Sequence, residues 1–387
     1  VLTRRARQWL RRGTAIGIAV VVLVVVAATW VCSNQIESLL LRVSPAQPVY
    51  DLQVLGVTDE EVTLTRAAEA EQPGTWGLEW ETGYARVGPV AALSEEGVAR
   101  PLLEVAGDLR PGLAVAMDAF SFESDPSDVG LDYENVIVEG PLGNYPAWRT
   151  EGSDDTWVIL VHDRASYRRQ ALRALPALAA AGFPTLTITY RNDPGAPQSG
   201  SHYTLGRTEW QDLEGAVDYA VSEGAADVVL MGYGVGGTIC ALFFHESREA
   251  DLVKGLILDA PLLDPGSVVD ADAHAHNVPG FIDGWAKGLA TLRFGVDWGS
   301  LNQLEHADEF TVPILLLQGD ADTEASVAIA DRFAAALPQL VNYQRFPAAG
   351  HTESWNVDPA RYEAVLAAFV TEVAGGPVAA PTAGGGG

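Results

Sequence analysis

Three stretches of this 387-residue chain hold residue types that do nucleophilic chemistry. The apolar run Asp227 to Gly232 leads into Gly232-Tyr233-Gly234-Val235-Gly236-Gly237, with a helix expected from near Thr238. A strand, a sharp glycine-flanked turn and a helix make a nucleophile elbow, G-x-S-x-G, which presents its central residue at a strained apex. Gly232 and Gly236 allow strand and helix to approach, and Tyr233 and Val235 flank the apex. The apex itself is Gly234, which has no side chain to attack with. An acid follows at Asp322, in Gln318-Gly319-Asp320-Ala321-Asp322. A histidine comes last, at the end of Pro347-Ala348-Ala349-Gly350-His351. In the working mechanism a hydroxyl attacks a carbonyl, the imidazole takes its proton, and backbone amides hold the oxyanion. The sequence therefore predicts an acid–base pair, Asp322 and His351, beside an empty nucleophile position.

The elements that must position these residues are legible around them. Continuous apolar runs at Trp157 to His162, Thr185 to Tyr190, Asp227 to Gly232, Gly255 to Leu258 and Pro313 to Gln318 predict strands buried on both faces, with a shorter one at Tyr343 to Phe346. Helical patterns separate them. Thr208 and Gln211 read as a capping box opening a helix with Trp210, Leu213, Val217 and Val221 on one face. Asp358-Pro359 opens the last helix. Val136-Ile137-Val138 and Tyr145-Pro146-Ala147-Trp148 read as a hairpin joined across Gly143-Asn144. Strand–helix alternation predicts a doubly wound, mostly parallel sheet over 134–374, with a helical cap inserted at about 261–310. Short alternating runs such as Val62-Thr63-Leu64-Thr65 make 35–133 a β-rich accessory segment. The Gly/Ala/Pro/Thr stretch 375–387 reads as a disordered tail.

Taken together, Tyr190-Arg191-Asn192-Asp193-Pro194-Gly195-Ala196-Pro197, Thr208-Glu209-Trp210, Asp259-Ala260-Pro261, Gly319-Asp320-Ala321-Asp322, Gly350-His351 and Ser354-Trp355-Asn356-Val357-Asp358-Pro359 resemble the α/β-hydrolase superfamily, in particular membrane-anchored alpha/beta hydrolases common in actinobacteria. The resemblance implies serine-hydrolase ancestry, esterase- or peptidase-like, with no cofactor. It implies Asp322 as the triad acid, His351 as the base and a ligand pocket under the cap. It also marks departures. Serine is replaced by Gly234. The family's His-Gly oxyanion arm is here His162-Asp163-Arg164-Ala165, so the oxyanion site is expected from Val235, Asp163 and Arg164, with a carboxylate that repels developing charge. The Val-Pro after the acid loop is Glu324-Ala325-Ser326. Loss of a triad nucleophile costs on the order of 10⁶ in rate.

Two readings follow. One is a non-catalytic relative that binds a small molecule or peptide in the old pocket. The other is a hydrolase with residual or altered activity, using His351-Asp322 with water or with a relocated nucleophile. Ser166, Thr238 and Ser354 are the candidates for relocation, but Ser166 reads more simply as a helix N-cap and the others as local hydrogen-bonders. Asp270-Ala271-Asp272-Ala273-His274-Ala275-His276 alternates potential ligands, but nothing completes a metal site, and it reads as solvated surface. His162, His202, His245 and His306 read as structural or surface residues.

Charge is split along the chain. Arg4, Arg5, Arg7, Arg11 and Arg12 give the first 32 residues a charge of +5, while the remainder holds 19 basic and 51 acidic residues, a net −32. The acidity excludes nucleic-acid binding. Residues 13–34 are uncharged and long enough to span a bilayer, with Trp30 at an interfacial position. Residues 1–12 form a basic cytoplasmic stub by the positive-inside rule, leaving the rest extracytoplasmic and, through its acidity, held off anionic headgroups. Secretion after signal-peptide cleavage is the alternative. Cys32 and Cys240 are not expected to pair.

Overall fold

The computed structural model describes residues 4–43 and 48–375, so most of the predicted tail and the first residues of the stub lie outside it. The chain opens with α1, Arg4–Ile36, which widens into a π-helical turn over Glu37–Leu41. The stretch Arg12–Leu41 is long and apolar enough to cross a membrane.

A small β-barrel follows. Its strands are β1 Leu52–Val57, β2 Glu61–Thr65, β3 Trp76–Trp80, β4 Gly83–Val87, β5 Ala92–Leu93, β6 Gly97–Ala106 and β7 Ala114–Asp118. Antiparallel pairs run β1-β7-β3-β4-β6-β2, and β2 also pairs β1, closing the ring, with β5 beside β6. Period-2 burial in β1 and β2 is the cause: alternate residues fill the interior with Leu52, Val54, Val62, Leu64, Trp76, Leu78, Val98 and Val115. Arg100 is fully buried and donates to the carbonyls of Gly88, Ala70, Gln72 and Gly74. Burial lowers its pKa to about 10, which leaves it a cation at neutral pH.

The larger unit is one eight-stranded sheet: β8 Glu134–Gly140, β9 Gly143–Thr150, β10 Thr156–Val161, β11 Thr185–Ile188, β12 Asp227–Tyr233, β13 Val253–Asp259, β14 Ile314–Gly319 and β15 Val341–Phe346, in the order β8-β9-β11-β10-β12-β13-β14-β15. Only the β8–β9 and β9–β11 pairs are antiparallel. Side chains alternate between two cores. Trp157, Ile159 and Val161 of β10 meet one, and Val158 and Leu160 the other. On the first face pack α3 Trp210–Ser222, α4 Val235–Glu246 and α8 Val327–Ala336; on the second, α2 Leu175–Ala180 and α10 Pro359–Ala374. The insertion between β13 and β14 carries α5 Pro265–Ala275, α6 Gly280–Phe294 and α7 Trp298–Leu301, and α9 Ser354–Val357 is a short turn before α10. This is an α/β-hydrolase-like sheet with a helical insertion.

Several local expectations need correction. The β8–β9 turn is Pro141-Leu142, because Gly140 pairs Gly143 and Gly143-Asn144 already lies in β9. The Thr208–Gln211 capping box does not form. The Glu209 carboxylate instead accepts from the amides of Thr204 and Gly206, tying down the loop before α3. Ser166 caps no helix; its hydroxyl donates to the Arg164 carbonyl. Helix α4 starts at Val235, since the turn is completed at Gly234. Residues 36–41 do not belong with the β-rich segment: Ile36, Leu40 and Leu41 are buried in the core of the larger unit.

Candidate functional site

The elbow between β12 and α4 has the strained geometry that its sequence pattern predicts. Gly234 sits at φ 51°, ψ −115°, outside the regions open to most side-chain-bearing residues. Its neighbours Gly232 and Gly236 are close-approach positions. A Cβ on Gly232 would fall 2.3 Å from the Gly236 carbonyl oxygen, and one on Gly236 would fall 2.2 Å from that of Val161. Tyr233 points away, into the opposite core.

Asp163, two residues past β10, fills the space at the apex. Its Oδ1 accepts from the amides of Val235 and Arg164, both at 2.7 Å. Its Oδ2 lies 3.1 Å from His351 Nε2. The two amides expected to hold an oxyanion are thus engaged by one carboxylate oxygen, and the base is engaged by the other. Asp163 thus stands in the oxyanion position itself, with its own charge satisfied by two backbone donors and an imidazole. The Arg164 guanidinium turns outward to Glu324, 3.5 Å away, so Arg164 enters the site through its amide.

His351 Nδ1 lies 3.0 Å from Asp322 Oδ2. Asp322 also accepts from the amides of Glu324 and Ala325 and from the Gln318 side chain. Gln318, near the end of β14, thereby helps to orient the acid. A carboxylate at each ring nitrogen of His351 favours a proton on both, which is the imidazolium. Burial disfavours that cation, but the hydrogen bonds to Asp163 and Asp322 outweigh it and hold the His351 pKa well above the ordinary histidine value. Burial likewise pushes the Asp163 pKa up, and His351 more than reverses this, leaving it low.

Residues that the sequence reading missed support this arrangement. Gln170 accepts from the Asp163 amide and donates to the Thr352 hydroxyl. Arg173, fully buried, donates to the carbonyls of Thr352 and Ala119 and to Asn356 Oδ1. The Asn356 amide donates to the carbonyls of Thr75 and Ala119 and to Ser121 Oγ. The barrel therefore docks on the loop that carries His351. A polar residue inside an apolar stretch, as at Arg173 in Ala171-Leu172-Arg173-Ala174-Leu175, was the available signal; Gln170, after Arg168-Arg169, carried none.

The cavity at this site measures about 80 Å³ and is lined by Asp163, Gly234, Val235, Leu262, His351 and, from the turn after α1, Leu39 and Leu40. That turn is fastened by the amide of Tyr203 donating to the Leu41 carbonyl and by Glu37 against His202. Of the other candidate nucleophiles, Thr238 donates to the Leu262 carbonyl, Ser354 is fully buried with its hydroxyl unpartnered rather than in the local hydrogen bond expected of it, and Ser166 is engaged as above. The 270–276 run lies in helix α5 rather than on a strand, so its side chains spread around the axis. Among the described residues no group of three or more His, Cys, Asp or Glu is placed to hold a metal ion. His162 is buried against Asp193 at 2.8 Å and stacks on Tyr190, while His245 and His306 both face Glu309.

Residues 53–118 match a family described as a domain of unknown function (DUF8805), which coincides with the barrel. The chain is 28% identical over 221 residues to dipeptidyl peptidase family member 6 of Caenorhabditis elegans, across 50% of this chain and 28% of that protein. It thus spans less than a third of that relative's length. Among solved structures, a Pyrococcus furiosus esterase is 18% identical, covering 65% of this chain and 94% of its own, with a TM-score of 0.49. A Xanthomonas campestris α/β serine hydrolase without a lid is 15% identical, covering 62% and 94%, with a TM-score of 0.45. The chain is similar to α/β serine hydrolases and esterases, and distantly to a dipeptidyl peptidase-like protein.

Proposed function

We propose that this protein is a membrane-anchored, non-catalytic member of the α/β-hydrolase group, in which an internal carboxylate has replaced serine chemistry. The observation that carries this reading is Asp163. It takes the space of a nucleophile side chain, occupies both oxyanion amides and holds His351 as an imidazolium. An imidazolium has no lone pair with which to accept a proton, so His351 cannot serve water or a relocated hydroxyl as the general base. Asp322 and His351 are kept as parts of a structural ion triad, Asp322–His351–Asp163. A cavity of about 80 Å³ is well below the roughly 300–1,000 Å³ of small-molecule sites. A small-molecule or peptide ligand of the pocket must therefore first displace Leu39 and Leu40. The apolar α1 with its basic start supports a reading in which the barrel and sheet lie outside the cytoplasm. The test is hydrolysis of short-chain p-nitrophenyl esters by the detergent-solubilised chain. The expected result is no turnover above that of the His351→Ala variant. Turnover by the native chain that His351→Ala abolishes would sink the proposal.

A further inference from the structure

Helix α6 has an inverted surface. Its outward positions are Phe281, Gly284, Trp285, Gly288, Thr291 and Leu292, with no charge among them, on a chain of net charge −27. Phe281 and Trp285 are 55% and 56% exposed and Leu292 84%. Its charged residues turn inward to partners instead. Lys287 pairs with Asp270 and Asp283. Arg293 donates to Ser33 Oγ and Asn34 Oδ1 and lies 4.2 Å from the centre of the Trp30 ring. A soluble surface helix shows the opposite arrangement.

The way α6 meets α1 gives this face an occupant. Near its start, Val278 and Asp283 line one cleft with Val31, Cys32 and Gln35. Near its end, Arg293 reaches Trp30, Ser33 and Asn34. Positions 283 and 293 lie about 15 Å apart along α6, yet both reach the same two turns of α1. Helix α6 packs closely against α1 at the level of Trp30, where the apolar run ends. With α1 through a bilayer, this contact brings α6 to headgroup depth. Apolar and aromatic residues on one face and cations turned to the other are the properties of an interfacial helix.

We propose that the Phe281–Trp285–Leu292 face of α6 inserts into the phospholipid interface as a second membrane contact, seating the cap on the bilayer. This rests on the reading of α1 as a membrane anchor. To test it, single cysteines from Leu292→Cys, Phe281→Cys, Val22→Cys and Leu93→Cys are placed in the full chain carrying Cys32→Ser; Cys240 is fully buried. Each is labelled with an environment-sensitive nitrobenzoxadiazole group and reconstituted in phosphatidylcholine vesicles. Labels at 281 and 292 are expected to show the blue-shifted emission and doxyl-lipid quenching of the label at 22, in the α1 apolar run. The label at 93, on the barrel, should emit as in water. If 281 and 292 behave like 93 while 22 is lipid-exposed, the interfacial contact is wrong and the anchor stands. If 22 also behaves like 93, the anchor fails and this contact with it.

Discussion

Asp163 and Gly234 are sterically matched across 71 positions of sequence: a Cβ built on Gly234 would stand 2.3 Å from Asp163 Cγ and 2.5 Å from each carboxylate oxygen. No side chain fits at 234 while Asp163 holds its place, and the carboxylate has that place only because 234 lacks one. The missing nucleophile and the added acid are one structural change made at two positions. A carboxylate bound to both amides and to the imidazole also resembles the charge pattern of an acyl-transfer intermediate, with its oxyanion held by amides.

Gly234→Ser alone should therefore fail to restore activity. The hydroxymethyl group must displace the Asp163 carboxylate and accept the strained φ of 51°. Overpacking of this kind costs about 1–3 kcal/mol. The expected result is a lower midpoint in guanidinium unfolding and no ester turnover. A variant as stable as the native chain would contradict the steric match.

His351 should be protonated at neutral pH. Its folded pKa is raised, so its stabilising contribution is full below the unfolded value of about 6.5 and is lost as pH rises through the folded value. The Asp163 pKa is lowered, so its contribution is present above about 3.9 and is lost as pH falls through the folded value. The stability advantage of the native chain over His351→Ala should be widest between these limits and should shrink in mild alkali. Imidazole nitrogen shifts in NMR would report the titration directly. A midpoint near 6.5 would exclude the imidazolium, and Asp163→Gly should lower the midpoint by removing one of the two carboxylates.

Asn356→Ala should loosen the barrel from the sheet. It removes three donated hydrogen bonds to Thr75, Ala119 and Ser121 and leaves Arg173 short of an acceptor in a buried place. Unsatisfied buried groups of this sort cost about 2–4 kcal/mol together. A thermal melt should fall accordingly, with the first loss at the barrel seen by hydrogen exchange. An unchanged melt would mean that the interface is carried elsewhere.

The sheet was legible because strands such as β10 and β14 are buried on both faces and so read as unbroken apolar runs. The elbow and the acid loop were legible for the same reason, since each follows such a run; His351 follows the edge strand β15, whose Val341, Tyr343 and Phe346 are interrupted by polar residues. What escaped the sequence were relations between distant positions. Asp163 could be seen as out of place but not as the partner of Gly234, because nothing local encodes where its carboxylate points. Leu39 and Leu40 follow an apolar helix and look like its continuation, yet they reach the site. The Thr208–Gln211 capping box failed because the Thr208 hydroxyl is paired with that of Thr204 in the preceding loop. Arg173 and Asn356 join two units whose contact has no sequence signature.

The central claim is that Asp163 alone stands between this site and serine chemistry once a serine is supplied. Labelling by a fluorophosphonate probe tests it most directly, applied to the native chain, Gly234→Ser, and the double variant Asp163→Gly/Gly234→Ser. Removing the carboxylate frees the amides of Val235 and Arg164 and leaves His351 oriented by Asp322, ready to accept a proton from residue 234. The account predicts labelling of the double variant only. Labelling of Gly234→Ser alone, or of none of the three proteins with the double variant folded, would contradict it.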